Sequence, residues 1–341
     1  MTNLELNNSI KEQHSNNDSI IAELEETKRE HERNRDYEKA FAVCKQICDL
    51  LSDTKGPDDI ETLNYMVKLS FCYAEANHKD KARALMSEVY RRKCELFGEN
   101  APTTVRTQCA NLLLYDCDDE NASDLESAAG EKIELIYNID DIDVMHAMYN
   151  YAFFLESYYG QTVLTPYLDI LNWVLKFKGK GSSEHLSILS ELADIYYVAE
   201  LYEEAIEVGE EYYSYSCSKY GAEDNHTLLV DENLAKVYFF NENYKEAMRR
   251  LEKLSEIYER NGVEARRIIG VYCNLAICNY RNNNVDQARQ MIKKAYDLCR
   301  NSDAELGMLA NDTLELHTKL NDAKKHTFVF LRWRDVYGMF I

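Results

Sequence analysis

The sequence predicts an all-α protein built as a stack of similar helix hairpins, and three observations predict it. Only three Pro and twelve Gly occur in 341 residues, too few to punctuate a fold of short strands and turns. A small residue recurs at Ala40, Ala82, Ala205, Ala247 and Ala288, at separations of about 41 or 42 or three times that, the mark of a repeat architecture. The corners "GPDDIET" (56–62), "GENAPTT" (98–104) and "GAEDNHT" (221–227) each run from Gly to Thr, joining a residue that ends helices to residues that start them.

Each repeated Ala is followed at plus four and plus seven by a packing residue: Cys44 and Ile47, Met86 and Val89, Gly209 and Tyr212, Leu251 and Leu254, Ile292 and Ala295. That spacing is one face of a helix. A second helix precedes each Ala. "KLSFCY", "ELADIYY", "NLAKVYF" and "NLAICNY" place Leu69-Ser70, Leu192-Ala193, Leu234-Ala235 and Leu275-Ala276 thirteen and twelve residues ahead of it, and the small partner lets the two helices approach closely. A hairpin of this kind cannot bury its faces alone and must stack on its neighbours.

The chain divides accordingly. Residues 1–18, rich in Asn, Ser and charge, are expected as a flexible polar tail that cannot offset its ordering entropy. Residues 19–323 form the array of about six to seven units, with a degenerate copy near 116–146 that lacks both the Ala and the Gly-to-Thr corner. In "TPYLDIL", Thr165 is expected to cap a helix opening at Pro166. Residues 324–341 are expected as a C-terminal capping helix, with Phe330, Trp333, Tyr337 and Phe340 on one stripe. The same stripe with Arg332 and Arg334 offers a route to self-association.

"RKCELFGENAPTTVRTQCANLLLY" and "NLAKVYFFNENYKEA" resemble the 42-residue tetratricopeptide repeats of the kinesin-light-chain class, over roughly residues 37 to 300. The resemblance implies a right-handed superhelical solenoid of antiparallel hairpins whose first helices line a concave, ligand-holding wall. It does not choose a ligand, because the repeat serves unrelated binding proteins.

Charge and chemistry narrow the function. A formal net charge of −21 repels phosphate backbones and anionic lipid, so neither nucleic acid nor membrane is expected as a partner. No run approaches the eighteen apolar residues of a membrane span. The ten Cys, several at core positions, and the absence of an apolar leader predict a reducing, cytoplasmic setting. No HExxH, GxSxG, P-loop or CxxC is present, and an enzyme is not expected. Cys44 and Cys48 have the i, i+4 spacing of metal ligands, yet Cys44 occupies a packing position; no metal or cofactor is expected.

The residue before the Leu-small pair recurs as Lys68, Ala110 or Asn111, Asn150, Glu191, Asn233 and Asn274. An Asn amide can bond both the C=O and the N–H of an extended peptide, and the resemblance places this position on the concave wall for Asn150, Asn233 and Asn274. Three residues on lie Phe71, Phe153, Asp194, Lys236 and Ile277, and beyond them Arg281. The candidate peptide-binding set is therefore Asn150, Asn233, Asn274, Lys236, Arg281, Glu191, Asp194, Phe153 and Lys68. The resembling class takes acidic cargo. Here Glu191 and Asp194 oppose Lys68, Lys236 and Arg281, so a neutral or basic peptide is expected. The alternative to an interaction module is a peptide-responsive regulatory sensor acting on a separate effector.

Overall fold

A computed structural model describes residues 3–116, 119, 121–160 and 163–301. Fourteen helices and no strands occur among the described residues, in two compact units, Met1–Phe177 and Lys178–Ile341. The expected capping helix at 324–341 lies outside the described residues.

The first unit holds α1 (Asn3–Arg33), α2 (Tyr37–Lys55), α3 (Ile60–Glu75), α4 (Lys79–Phe97), α5 (Pro102–Leu112), α6 (Ala122–Ile136), α7 (Ile142–Tyr159) and α8 (Leu164–Phe177). The second holds α9 (Ser183–Val198), α10 (Tyr202–Tyr220), α11 (Asn225–Phe240), α12 (Tyr244–Asn261), α13 (Ala265–Arg281) and α14 (Val285–Asn301). Consecutive helices pair as seven hairpins. The periodic alanines start the packing column of each second helix: Ala40 is 1% exposed and Ala82, Ala205, Ala247 and Ala288 are fully buried.

Two kinds of corner alternate. Inside five hairpins the turn passes through a non-glycine residue of positive φ, Arg35, Asn77, Glu200, Glu242 or Asn283. The next backbone N–H reaches back five residues, as from His78 to Tyr73 O at 2.8 Å and from Asn243 to Tyr238 O at 2.9 Å. These are Schellman closures made without the usual Gly. Between hairpins, Gly56, Gly98 and Gly221 take φ of 102°, 91° and 100°, where an L side chain is strained. Asp59 and Asp224 then cap α3 and α11 through the N–H groups of Glu61 and His226, each at 2.9 Å. The corner threonines do not cap: Thr62, Thr104 and Thr227 are buried inside the helices with their hydroxyls unpaired.

The structure differs from the sequence expectation in two terminal details. Residues 3–18, expected as a tail, are helical backbone within α1; the segment lacks Gly and Pro and extends from a stretch whose Ile21 and Leu24 pack on the α2–α3 core, so propagation continues an existing nucleus. Helix α8 starts at Leu164, so Thr165 is a helical residue and not the cap. The degenerate copy is the third hairpin. Helix α5 has eleven residues, and the connection to α6 is held by Arg83, which donates to Leu114 O at 2.9 Å and pairs with Asp119 at 2.6 Å.

Candidate functional site

Helices α9, α10 and α11 enclose a recess in the second unit. Its floor exists because small residues recur there. Ala193 comes from α9, while Ala205 and Gly209 come from α10 and lie against Leu234 of α11. A Cβ built on Gly209 would stand 2.9 Å from Leu234 Cδ1. Gly209→Val is therefore expected to destabilise the unit by about 1–3 kcal/mol through overpacking, read from urea denaturation; an unchanged midpoint would mean the interface yields freely.

Polar and aromatic groups form the rim. Asp194 of α9 and Asn233 of α11 are exposed, and Lys236 and Tyr197 line the same recess. The Lys236 ammonium lies 4.4 Å from the centre of the Tyr197 ring, a cation–π contact. Tyr197 meets Phe240 edge-on at 5.5 Å and Tyr202 at 6.1 Å, so the ring under the ammonium is itself packed against two others. Although water reaches Asp194, the recess walls crowd it; desolvation pushes its pKa up, and Lys236 pulls it back. A carboxylate that is imperfectly solvated and only partly neutralised favours an added cationic or N–H donor group.

The structure brings part of the expected set together. Asp194, Asn233 and Lys236 share the recess, and Glu191 sits one turn before Asp194 on α9. Arg281 is exposed at the end of α13. Asn274 requires correction. It is 4% exposed, because α13 is buried without interruption from Ile268 to Ala276, so its amide does not face an open wall.

Lys68, Asn150 and Phe153 belong to the first unit. Lys68 pairs with Glu25 of α1 at 3.1 Å and lies 4.3 Å from the Tyr65 ring centre; it bridges α1 and α3. Asn150 is half-buried and donates to Arg106 O at 3.5 Å. Phe153 is 45% exposed between Tyr149 and Tyr167. His185, in the first turn of α9, is 1% exposed and accepts from Gly181 N–H at 3.1 Å; desolvation lowers its pKa.

Two polar clusters escaped the sequence reading. Arg250 of α12 donates to Asp231 of α11 at 2.5 Å and to Glu210 of α10, while its guanidinium stacks 5.2 Å from Tyr213 and 5.3 Å from Tyr238. Lys93 of α4 is completely buried, its ammonium donating to Asn64 Oδ1 at 2.7 Å and to the hydroxyls of Thr103 and Thr107 at 3.0 Å each. Both clusters weld neighbouring helices.

Residues 224–301, spanning α11 to α14, match the family model of the tetratricopeptide repeat. No curated protein sequence matches the chain. Among solved structures, the chain is similar to a Podosopora anserina putative kinesin light chain of nearly identical TPR-like repeats, at 15% identity and a TM-score of 0.42, over 72% of this chain and 99% of that one. It is also similar to BtubC from P. vanneervenii, at 13% identity and a TM-score of 0.40, over 92% and 96% of the two chains. A signal transduction ATPase with numerous domains from Pyrococcus horikoshii, which carries a tetratricopeptide repeat sensor, aligns at 17% identity and a TM-score of 0.53. That alignment covers 82% of this chain and 40% of the ATPase, and it supports the fold alone. The family match marks α11 to α14 as tetratricopeptide repeats, and helix hairpins with the same buried alanine column precede them in both units.

Proposed function

We propose that the chain is a non-catalytic protein–protein interaction module that holds an extended, neutral or basic peptide segment against the recess of its second unit. One observation carries the reading: Asp194, Asn233 and Lys236 stand together at the mouth of one recess, beside the Tyr197–Phe240 aromatic contact. The Asn233 amide can serve both backbone groups of an extended chain. Asp194 supplies a place for a cationic side chain, and the aromatic faces supply apolar area. Glu191 and Arg281 flank this wall on α9 and α13, and Asn150 and Phe153 offer a second contact surface on the first unit.

Among the described residues no helix is long and apolar enough to cross a membrane. The acidic balance of −21 disfavours nucleic acid as a partner. In this reading the chain works in the cytoplasm, with Cys44, Cys109 and Cys273 packed as small apolar groups.

Selection from a displayed library of random peptides tests the proposal. Enriched peptides are expected to lack net negative charge, and Asn233→Ala and Asp194→Asn should each weaken their binding by about 0.5–1.5 kcal/mol. The thermal melt should stay unchanged, because both side chains are exposed. Binding that ignores both substitutions would remove the recess as the site, and acidic consensus peptides would reverse the inferred partner charge. A second reading, a peptide-responsive sensor acting on a separate effector, draws on the likeness to the repeat sensor of the Pyrococcus ATPase. It requires that a selected peptide change hydrogen exchange in helices remote from the recess, whereas a simple module protects only the recess walls.

A further inference from the structure

Helices α1, α2 and α3 converge on a second cluster, remote in sequence from the recess. Carboxylate oxygens of Glu32 and Glu75 and the sulfur of Cys72 all lie within 4.8 Å of one another. Cys72 and Glu75 are i, i+3 neighbours on α3 and share a face, while Glu32 comes from α1. Behind them Cys44 of α2 is packed in the same buried core cluster as Cys72. Both thiols are buried, at 0% and 4% exposure, and Glu75 is exposed. The cluster thus has a dry sulfur wall on one side and an opening to solvent on the other.

We propose that Glu32, Cys72 and Glu75, backed by Cys44, form a binding site for a thiophilic divalent cation of the zinc class. Bond lengths of about 2.3 Å to sulfur and 2.0–2.2 Å to carboxylate place tetrahedral ligands roughly 3.5 Å apart. Small rotations of two long Glu side chains bring the donors to that spacing. A donor set that mixes thiol and carboxylate selects zinc-like ions over magnesium or calcium, which require oxygen alone.

The charges point the same way. Lys28 of α1 pairs with Glu32 at 2.5 Å. The protein therefore already places a cation here, but one ammonium faces two carboxylates, leaving a negative charge unmatched before any thiol ionises. Binding balances as a divalent ion plus the Cys72 thiol giving the metal thiolate plus one proton released to water. The Lys28 ammonium swings to solvent on its flexible stem. The i, i+4 pair Cys44 and Cys48 is not this donor group: Cys72 comes from the next helix and Glu32 from α1.

Cobalt(II) and zinc(II) titrations of the full chain, kept reduced by a phosphine, test the site. Expected are one ion per chain, a near-ultraviolet thiolate-to-cobalt charge-transfer absorption, and a melting temperature that rises with zinc. Cys72→Ser, nearly isosteric, should abolish the absorption and weaken zinc at least about tenfold. Glu75→Gln, at an exposed position, should weaken zinc with the absorption retained, and Lys28→Met should tighten it. Failure to bind either ion, an absorption that survives Cys72→Ser, or zinc affinity indifferent to both Glu75→Gln and Lys28→Met would overturn the proposal.

Discussion

Replacing Arg250 by alanine is expected to destabilise the second unit by about 3–5 kcal/mol, the usual cost of removing one partner from a buried ion pair. Arg250 is 4% exposed and Asp231 1%. The guanidinium serves Asp231 and Glu210 at once, with Glu246 3.1 Å from its Nε outside hydrogen-bond geometry. Alanine would leave the Asp231 carboxylate buried beside apolar α11 neighbours, with the Lys253 ammonium at 4.0 Å as a distant substitute. It would also open a void between the Tyr213 and Tyr238 rings that now sandwich the guanidinium.

The decisive comparison is with the double substitution Arg250→Met and Asp231→Leu, which removes both charges and refills the volume. Urea denaturation should show the double variant recovering most of the loss, because the penalty arises from an uncompensated charge and not from the missing contact itself. A double variant as unstable as Arg250→Ala would show instead that the pair's geometry, including its link to Glu210 and Tyr238, is what aligns α10, α11 and α12. Arg250→Lys should fall between. Its single ammonium cannot reproduce a fork that reaches Asp231 and Glu210 together.

Much of the fold was legible because the packing column is local. Ala40, Met86, Leu251 and Ile292 lie on a face set by i, i+4 and i+7 spacing, and each is at most 1% exposed. The same rule also carried a signal that the sequence reading passed over. Eleven residues beyond Ala40, Ala82, Ala205 and Ala247 lie Leu51, Lys93, Ser216 and Tyr258, all fully buried, while Cys299, eleven beyond Ala288, is half-buried. Lys93 sits in the basic run "RRK", which suggests a solvated face, yet its column position demands burial.

The candidate site was less legible, since exposure depends on what packs against a helix. Asn233 and Asn274 both stand in "NLA", but the residue three further on is Lys236 in one case and Ile277 in the other. A Lys on that face keeps α11 open to water, whereas α13 is buried on every side from Ile268 to Ala276. Pairing across helices was invisible for another reason. Arg250 finds Asp231 nineteen residues away and Glu210 forty away, separations that follow from the repeat length and not from any motif within one helix.

Lys93 should make the stability of the first unit rise with pH in a window where most lysines have no effect. Its ammonium is held between α3, α4 and α5 by Asn64, Thr103 and Thr107, neutral acceptors. Burial pushes its pKa from 10.5 down to about 8, against a pull upward from Asp143 and with a push downward from Arg106. Below pH 8 the lysine is charged in both folded and unfolded chains, and the folded state carries the full desolvation penalty. Between about 8 and 10.5 the folded chain gives up its proton while the unfolded chain keeps it, so stability increases with pH; above 10.5 both are neutral and the gain is complete. At 1.36 kcal/mol per pKa unit, the gain is roughly 3 kcal/mol. Buried thiols act in the opposite sense. Cys109 and Cys278 are pushed up to about 12 by burial, so they oppose folding as the unfolded thiols ionise. Comparison with Lys93→Met cancels them, because both chains keep the same cysteines. Urea denaturation at pH 7 and at pH 10 should show the wild-type chain gaining on Lys93→Met by about 2–3 kcal/mol across that interval. A gap that stays constant between the two pH values would mean that the acceptors from Asn64, Thr103 and Thr107 fully replace water, and that Lys93 is buried without electrostatic cost.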